Sequence, residues 1–285
     1  MTASVLIGVD ALAALLPRGD VLVVDCRFEL SAPDQGERDY LDAHIPGAVY
    51  AHLDRDLSDH ARQGQGRHPL PDAQRFAATL SRWGWQPGLR VVAYDNAGGA
   101  LAAARLWWML RLVGAHEAQV LDGGWSAWCA ANLPRERGAT ARGATTVSVR
   151  LDEAAMVDYA QLQRHLAAAD IVLLDARGPA RFRGDEEPLD RVGGHIPGAR
   201  NRPFALNLDG SGRFKPATEL RREFEDLLGT HAPAAVVHSC GSGVTACHNL
   251  LAMEHAGLHG SRLFAPSWSG WISDPARPVA TGAAD

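Results

Sequence analysis

The sequence contains only four cysteines among 285 residues, and they lie far apart along the chain. Cys26, Cys129, Cys240 and Cys247 are too few and too scattered for a disulfide-stabilised scaffold. They also lack the CxxC or Cys/His spacing that a zinc site requires, although the chain has 12 histidines. We therefore expect neither a bound metal nor a cofactor.

Positive charge and long apolar runs are also scarce. The formal net charge is −5, and the chain has no basic run of the kind that nucleic-acid-binding proteins carry. Its apolar runs are shorter than the roughly 20 residues needed to span a bilayer. The first residues have no basic region, and Asp10 interrupts their apolar stretch, so a secretory signal is not expected. These features predict a soluble cytoplasmic protein that has no nucleic-acid or membrane partner.

Four sequence landmarks occur twice, in the same order. They are VLVVDCR and IVLLDAR, HIPGA at His44 and at His195, the apolar runs that end at Asp95 and at Cys240, and GWSAW and SWSGW. The offset between the copies is 143 to 151 residues, which is too long for a solenoid repeat. The sequence therefore predicts a duplicated domain.

The stretch between the two copies marks the domain boundary. It begins PRERGATARGATT and shows no hydrophobic periodicity, as is typical of an exposed linker. We place the linker at residues 134–150, an N-terminal domain at 1–133 and a C-terminal domain at 151–285.

Each copy alternates strand-like and helix-like segments. The predicted strands are Val21–Val24, Val91–Tyr94, Ile171–Leu174 and Ala235–Ser239. The predicted helices are Ala100–Val113 and Thr245–Ala256, which are followed by Gly114 and Gly257. This alternation predicts an α/β fold in which each copy is a parallel sheet with helices on both faces. Ligands of such sheets bind beyond the carboxyl ends of the strands, where Asp95 and Cys240 lie.

Cys240 is the strongest candidate for a catalytic group. It lies between a predicted strand and a predicted helix, and Gly241, Ser242 and Gly243 follow it. These small residues let the backbone curl so that several N–H groups point inward, and the helix adds its positive N-terminal end. Such a ring stabilises a thiolate and a negatively charged adduct on it. The other three cysteines are interpreted as buried packing residues.

The motifs HIPGA, in both halves, and CGSGVTA, at Cys240, resemble those of the two-domain rhodanese-type sulfurtransferases. The resemblance covers essentially the whole chain. It implies two tandem rhodanese-like domains, of which only the C-terminal one is catalytic, because Asp95 stands at the cysteine position of the other. It also implies a double displacement. Cys240 takes sulfur from a small-molecule donor, becomes a persulfide, and passes the sulfur to a thiol, cyanide or a thioredoxin-like acceptor.

The loop after Cys240 separates two subfamilies of these enzymes. Members that use thiosulfate carry two basic residues, as CRKG, whereas members that use 3-mercaptopyruvate carry CGSG or CGTG. The resemblance therefore implies 3-mercaptopyruvate as the donor. It implies that the loop binds the donor through Gly241, Gly243, Val244 and Thr245, with Ser242 available to hydrogen-bond a thiol or keto group.

The carboxylate of mercaptopyruvate needs a cation from outside this uncharged loop. Arg181, in the sequence RFRG, matches a substrate-binding arginine of the family, and its guanidinium can hold a carboxylate through two hydrogen bonds. The mercaptopyruvate enzymes have a second arginine further along the chain. Here that position is Asp190, and Arg191 is the nearest basic residue. Because of this departure, thiosulfate stays open as an alternative donor.

The resemblance also implies a proton relay that runs from the histidine of the first HIPGA through the loop serine. It assigns His44 and Ser242 to this relay, together with Asp34 as the carboxylate and Asp39 as a competing choice. A purely structural role for HIPGA is an equal alternative for His44, because the motif occurs again at His195, where a structural role is favoured.

Two other classes of protein share part of this pattern. Cysteine phosphatases need an arginine six residues after the cysteine, and Ala246 occupies that position, which argues against a phosphatase. A regulatory binding protein built from inactive rhodanese domains would lack the cysteine in every copy, and Cys240 argues against it.

Overall fold

The computed structural model describes residues 4–283, which form two compact units. Unit 1 consists of residues up to 59, residues 71–152 and residues 210–214. Unit 2 consists of residues 60–70, residues 153–209 and the chain from 215 onward. None of the helices in the described part of the chain is long and apolar enough to cross a membrane.

Unit 1 is built on a parallel sheet of five strands in the order β1-β5-β4-β2-β3. Its elements are β1 (Leu6–Ile7), α1 (Val9–Leu15), β2 (Val21–Asp25), α2 (Gln35–Asp42), β3 (Val49–Tyr50), α3 (Leu53–Asp56), α4 (Ala73–Arg82), β4 (Arg90–Tyr94), α5 (Ala103–Leu112), β5 (Gln119–Leu121) and α6 (Gly124–Ala130). The long central strands β2 and β4 are almost entirely buried, as their continuous apolar sequences predict.

Unit 2 repeats this design with four parallel strands in the order β7-β6-β8-β9. Its elements are α7 (Tyr159–Ala168), β6 (Val172–Asp175), α8 (Pro179–Arg183), β7 (Ala199–Asn201), α9 (Ala217–Leu228), β8 (Val236–Ser239), α10 (Ala246–His255), β9 (Arg262–Leu263) and α11 (Ser267–Trp271). The predicted α/β fold, with two parallel sheets flanked by helices, is confirmed.

The predicted central strands and the two predicted helices are present, with small shifts at their ends. Gly114 and Gly257 follow α5 and α10 in the left-handed conformation, with φ of 80° and 74°. Helix α5 begins at Ala103, three residues later than the prediction, because the preceding loop wraps around the side chain of Asp95. Asp95 follows β4 just as Cys240 follows β8, at the carboxyl end of a central strand.

A buried ion pair ends one central strand of each sheet. The guanidinium of Arg27 lies 2.6 Å from Asp25 at the end of β2, and that of Arg177 lies 2.6 Å from Asp175 at the end of β6. Each arginine also stacks on a tryptophan of the repeated GWSAW and SWSGW motifs. These contacts explain why the strand-end aspartate and arginine recur together with the tryptophan motif in both halves of the sequence.

Candidate active site

The Cys240 loop of unit 2 is fixed by its own backbone. The Cys240 side chain is only 1% exposed, and the N–H of Gly243 donates to its sulfur at 3.2 Å. The carbonyls of Cys240 and Gly241 accept from the N–H groups of Trp268 and Ser269 at 3.0 and 2.9 Å. These hydrogen bonds point the loop carbonyls toward α11. The peptide N–H groups on the opposite side of the loop can therefore point toward the sulfur.

Gly243 is required by two features of this loop. Its φ is +76°, which L side chains rarely adopt, and a Cβ built on it would lie 2.3 Å from the carbonyl oxygen of Ala265. Only glycine therefore allows the loop to curl tightly enough to bring its N–H onto the sulfur.

Ser242 is joined to a histidine that lies outside every motif singled out in the sequence. Its hydroxyl lies 2.8 Å from Nδ1 of His68, and both side chains are buried. His68 belongs to residues 60–70, which are part of unit 2. The loop serine therefore has a proton-carrying partner within hydrogen-bonding distance.

Two guanidinium groups lie over the loop. A Cβ built on Gly241 would lie 3.1 Å from Nη2 of Arg67 and 3.6 Å from Nη2 of Arg181. The predicted Arg181 is therefore at the mouth of the Cys240 loop, and Arg67 supplies a second cation beside it. The backbone N–H of Arg67 donates to Ser269 Oγ at 2.9 Å, which anchors Arg67 to α11.

Two carboxylates of the loop after α8 hold these arginines. Asp190 bridges them, with Oδ1 2.5 Å from Arg67 and Oδ2 3.3 Å from Arg181. Glu187 lies 2.7 Å from Arg181 and also contacts Arg177. Burial raises the pKa of Asp190, with a further contribution from Glu187, against the opposing effect of Arg67. For Glu187 the hydrogen bonds from Arg181 and from the backbone outweigh burial and lower its pKa.

A third, fully buried cation lies close to Cys240. Burial disfavours the charge of Arg177, but Asp175, Glu187 and Cys240 raise its pKa above the ordinary arginine value. Arg177 therefore keeps its positive charge close to Cys240.

Arg191 has a different partner from the arginines of this cluster. Its guanidinium donates to the backbone carbonyl of Ile272 and so ties the loop to the end of α11. The second cation beside Gly241 is therefore Arg67, and the assignment of Arg191 to the donor stays a prediction. Asp190, the residue before Arg191, faces the loop and attracts Arg67.

The relay through His44 and Asp34 stays a prediction, and the contacts of both residues within unit 1 can be described. In unit 1, Nδ1 of His44 lies 2.7 Å from the carbonyl of Tyr40, and Nε2 lies 3.2 Å from the hydroxyl of Thr140. The carboxylate of Asp34 is 75% exposed and faces His52 at 3.7 Å. The equal alternative, a structural role for HIPGA, is therefore the one that these contacts support, and His68 takes the place beside Ser242.

The remaining predicted HIPGA histidine behaves in the same way. Nδ1 of His195 lies 2.8 Å from the carbonyl of Phe182, and the ring stacks on Phe182. In both units the backbone of this histidine pairs with a later segment, Glu136 in unit 1 and Ala280 in unit 2. In each unit, HIPGA thus joins its own backbone to a segment near the end of that unit.

A fifth repeat of the sequence could have revealed Arg67. Gly64–Arg67 reads GQGR and Gly210–Arg213 reads GSGR, an offset of 146 residues that falls within the range of the other four landmarks. His68 then corresponds to Phe214. The repeated arginine in two glycine-rich segments was the available signal.

Comparison with known proteins identifies the family to which this fold belongs. The rhodanese-like domain family matches residues 8–131 and 158–274, which together are most of the chain. The chain belongs to the rhodanese-like family. Of this rhodanese-like chain, 99% aligns with all of a probable 3-mercaptopyruvate sulfurtransferase from Pseudomonas aeruginosa at 46% identity. A putative thiosulfate sulfurtransferase from Mycobacterium tuberculosis is 41% identical, over 98% of both chains.

A solved structure agrees with these sequence relatives. The 3-mercaptopyruvate sulfurtransferase from Leishmania major superposes on 96% of this rhodanese-like chain and 75% of its own, with a TM-score of 0.85 and 32% identity. The predicted membership of the two-domain rhodanese-type proteins is thereby confirmed.

The rhodanese loop of unit 1 is occupied by its own side chain. The Asp95 carboxylate is fully buried and accepts from five backbone N–H groups at 2.8 to 3.2 Å. They belong to Ala97, Gly99, Leu101, Ala102 and Ala103. Unit 1 thus keeps an anion-binding loop but fills it permanently with a carboxylate.

Proposed function

We propose that this rhodanese-like protein transfers sulfur from 3-mercaptopyruvate to a thiol, cyanide or a thioredoxin-like acceptor through a persulfide on Cys240. The observation that carries the proposal is the position of the Cys240 sulfur. It accepts the N–H of Gly243 inside a curled loop, and the guanidinium groups of Arg67 and Arg181 lie over the mouth of that loop. The names of the Pseudomonas and Leishmania relatives support the choice of donor.

The first half of the proposed reaction moves one sulfur atom. The thiolate of Cys240 attacks the sulfur of mercaptopyruvate, an S–S bond forms, and the C–S bond of the donor breaks. The electron pair of that bond leaves on the three-carbon fragment as the enolate of pyruvate, which then takes up a proton. The loop N–H groups and the buried Arg177 stabilise the negative charge that the sulfur carries before and after this step.

Ser242 and His68 act where the leaving fragment gains charge. The enolate carries its charge on the former keto oxygen, and a hydroxyl placed there can donate to it. His68, 2.8 Å from the Ser242 oxygen, orients this hydroxyl and can replace its proton.

The carboxylate of the donor is held by the arginines over Gly241. Arg181 lies in the short helix α8. This helix directly follows the buried Asp175–Arg177 ion pair, which fixes the position of its start. Anchoring the carboxylate there orients the C–S bond toward Cys240. In the second half-reaction the thiolate or cyanide acceptor attacks the outer sulfur of the persulfide and releases the Cys240 thiolate.

Mass spectrometry of the intact protein tests the persulfide. Incubation with 3-mercaptopyruvate and no acceptor should add one sulfur atom on Cys240, and Cys240→Ser should abolish both the adduct and turnover. Cys247→Ala is the matched control, because Cys247 is a buried thiol just beyond the same loop. Turnover that persists in Cys240→Ser would refute the proposal. A wild-type protein that forms no adduct with any donor would instead favour the regulatory binding protein.

Thiosulfate is the second candidate donor, and the name of the Mycobacterium relative favours it. Values of kcat/KM for mercaptopyruvate and thiosulfate, measured side by side with cyanide as acceptor, decide between them. We expect mercaptopyruvate to be the better donor.

A further inference from the structure

Asp190 occupies the place between the two arginines where a donor's negative charge would be expected to bind. Its carboxylate contacts Arg67 on one oxygen and Arg181 on the other, and the Asp190 side chain is only 6% exposed. Glu187 neutralises Arg181 from the other side. The four groups next to Gly241, two guanidinium and two carboxylate groups, therefore have a formal charge of zero.

This cancellation affects donors of different charge unequally. At neutral pH mercaptopyruvate carries one negative charge, on its carboxylate, whereas thiosulfate carries two. The electrostatic energy of a bound anion scales with its charge, so a negative group in the site disfavours a dianion twice as strongly as a monoanion. A site with two arginines and no opposing carboxylate would suit thiosulfate.

We propose that Asp190 determines the donor preference of this site by holding Arg67 and Arg181 partly neutralised, so that a monocarboxylate is accepted and a dianion is disfavoured. The inference rests on the proposed sulfur transfer at Cys240. The raised pKa of Asp190 agrees with this position, because burial and the neighbouring Glu187 destabilise the charged form of its carboxylate.

The test is the ratio of kcat/KM for thiosulfate to that for mercaptopyruvate in Asp190→Asn. Asparagine keeps an oxygen that can accept from the arginines but removes the charge. Coulomb's law, for charges about 6 Å apart in a partly solvated site, gives a gain of about 3- to 10-fold per unit of donor charge. The monoanion gains this factor once and the dianion twice, so the ratio should rise by about 3- to 10-fold.

Asp185→Asn is the matched control. It removes the same charge from the same loop, but Asp185 is exposed and pairs with Arg183 at 2.7 Å. Its ratio should stay within about twofold of the wild type, because solvent and salt screen an exposed charge. Added salt should also reduce the effect of Asp190→Asn, and more so for thiosulfate.

The outcomes separate this inference from the proposed function. An unchanged or lower ratio in Asp190→Asn, with both donors still used, overturns the role of Asp190 and leaves sulfur transfer intact. A wild type that uses neither donor overturns the proposed function itself. Asp190→Ala repeats the charge change without a polar group. If both variants fold, as their melting temperatures would show, yet neither uses either donor, Asp190 is needed to position the arginines, and the inference is wrong.

Discussion

Replacing Asp95 by alanine tests whether the loop of unit 1 depends on its internal carboxylate. In the folded chain this side chain takes up five backbone N–H groups, two on Oδ1 and three on Oδ2. Its own carbonyl accepts from Trp125 at 2.9 Å, which ties the loop to α6. Alanine would leave a buried ring of donors without the acceptor around which it is built.

The structure sets the expected magnitude. A hydrogen bond to a charged group contributes about 1.5–3 kcal/mol, and a buried donor left unsatisfied costs about 1–3 kcal/mol. The five bonds share one carboxylate, so their contributions do not add, and water can enter the vacated polar space. The desolvation of the carboxylate, which the native fold has to overcome, also offsets part of the loss. We therefore expect Asp95→Ala to reduce the free energy of unfolding of unit 1 by about 3–5 kcal/mol.

Urea unfolding and hydrogen exchange measure this loss. Peptides that cover residues 95–103 should exchange faster in Asp95→Ala, whereas peptides of the Cys240 loop should keep their protection. Asp20→Ala is the control, because Asp20 forms an exposed pair with Arg18, and its replacement should change stability by less than about 0.5 kcal/mol. A loss below about 1 kcal/mol in Asp95→Ala would refute the argument that the carboxylate organises this loop.

Three further predictions follow from the geometry of unit 2. Ser242→Ala should lower kcat with mercaptopyruvate by about 10²-fold and affect thiosulfate much less, since thiosulfate forms no enolate; equal losses would contradict this role. Arg181→Ala should lower kcat/KM for mercaptopyruvate by about 10- to 100-fold, with partial recovery in Arg181→Lys, whereas Arg191→Ala should have a much smaller effect. Burial lowers the pKa of His238 to about 3 from 6.5. Between pH 6.5 and about pH 3 the unfolded chain binds this proton and the folded chain does not, so stability should fall with decreasing pH by up to about 1.4 kcal/mol per pH unit, and urea unfolding of His238→Leu should show a shallower acid dependence.

Much of the fold could be predicted from local sequence patterns. Continuous β-branched runs mark strands buried on both faces, and the duplicated landmarks place equivalent strands in two sheets. The loop at Cys240 was equally accessible, because a cysteine followed by Gly241 and Gly243 between a strand and a helix is typical of a backbone that curls around its own thiol. These features depend on residues close together in the chain.

The partners of that loop could not be found in the same way. His68 lies 174 residues before Ser242, and its segment has neither hydrophobic periodicity nor a helix or strand signal. Its contact arises only because residues 60–70 pack with unit 2. HIPGA, by contrast, is conspicuous in the sequence and predicts a relay role for His44, whereas the contacts of His44 in unit 1 are with Tyr40 and Thr140.

The duplication shows how far the side chains at equivalent loop positions can differ while both units keep the same fold. Two of the repeated positions differ in chemistry: Asp95 corresponds to Cys240, and Phe214 corresponds to His68. The first difference replaces a thiol by a carboxylate that accepts from the loop N–H groups, and the second replaces an imidazole ring by an apolar one. The second glycine-rich segment, Gly210–Arg213, still packs against unit 1, because the N–H of the next residue, Phe214, donates to Asp122 at 2.9 Å. The two units thus place different acceptors inside the same kind of loop: a carboxylate in unit 1 and, in unit 2, a sulfur with a histidine-linked serine beside it.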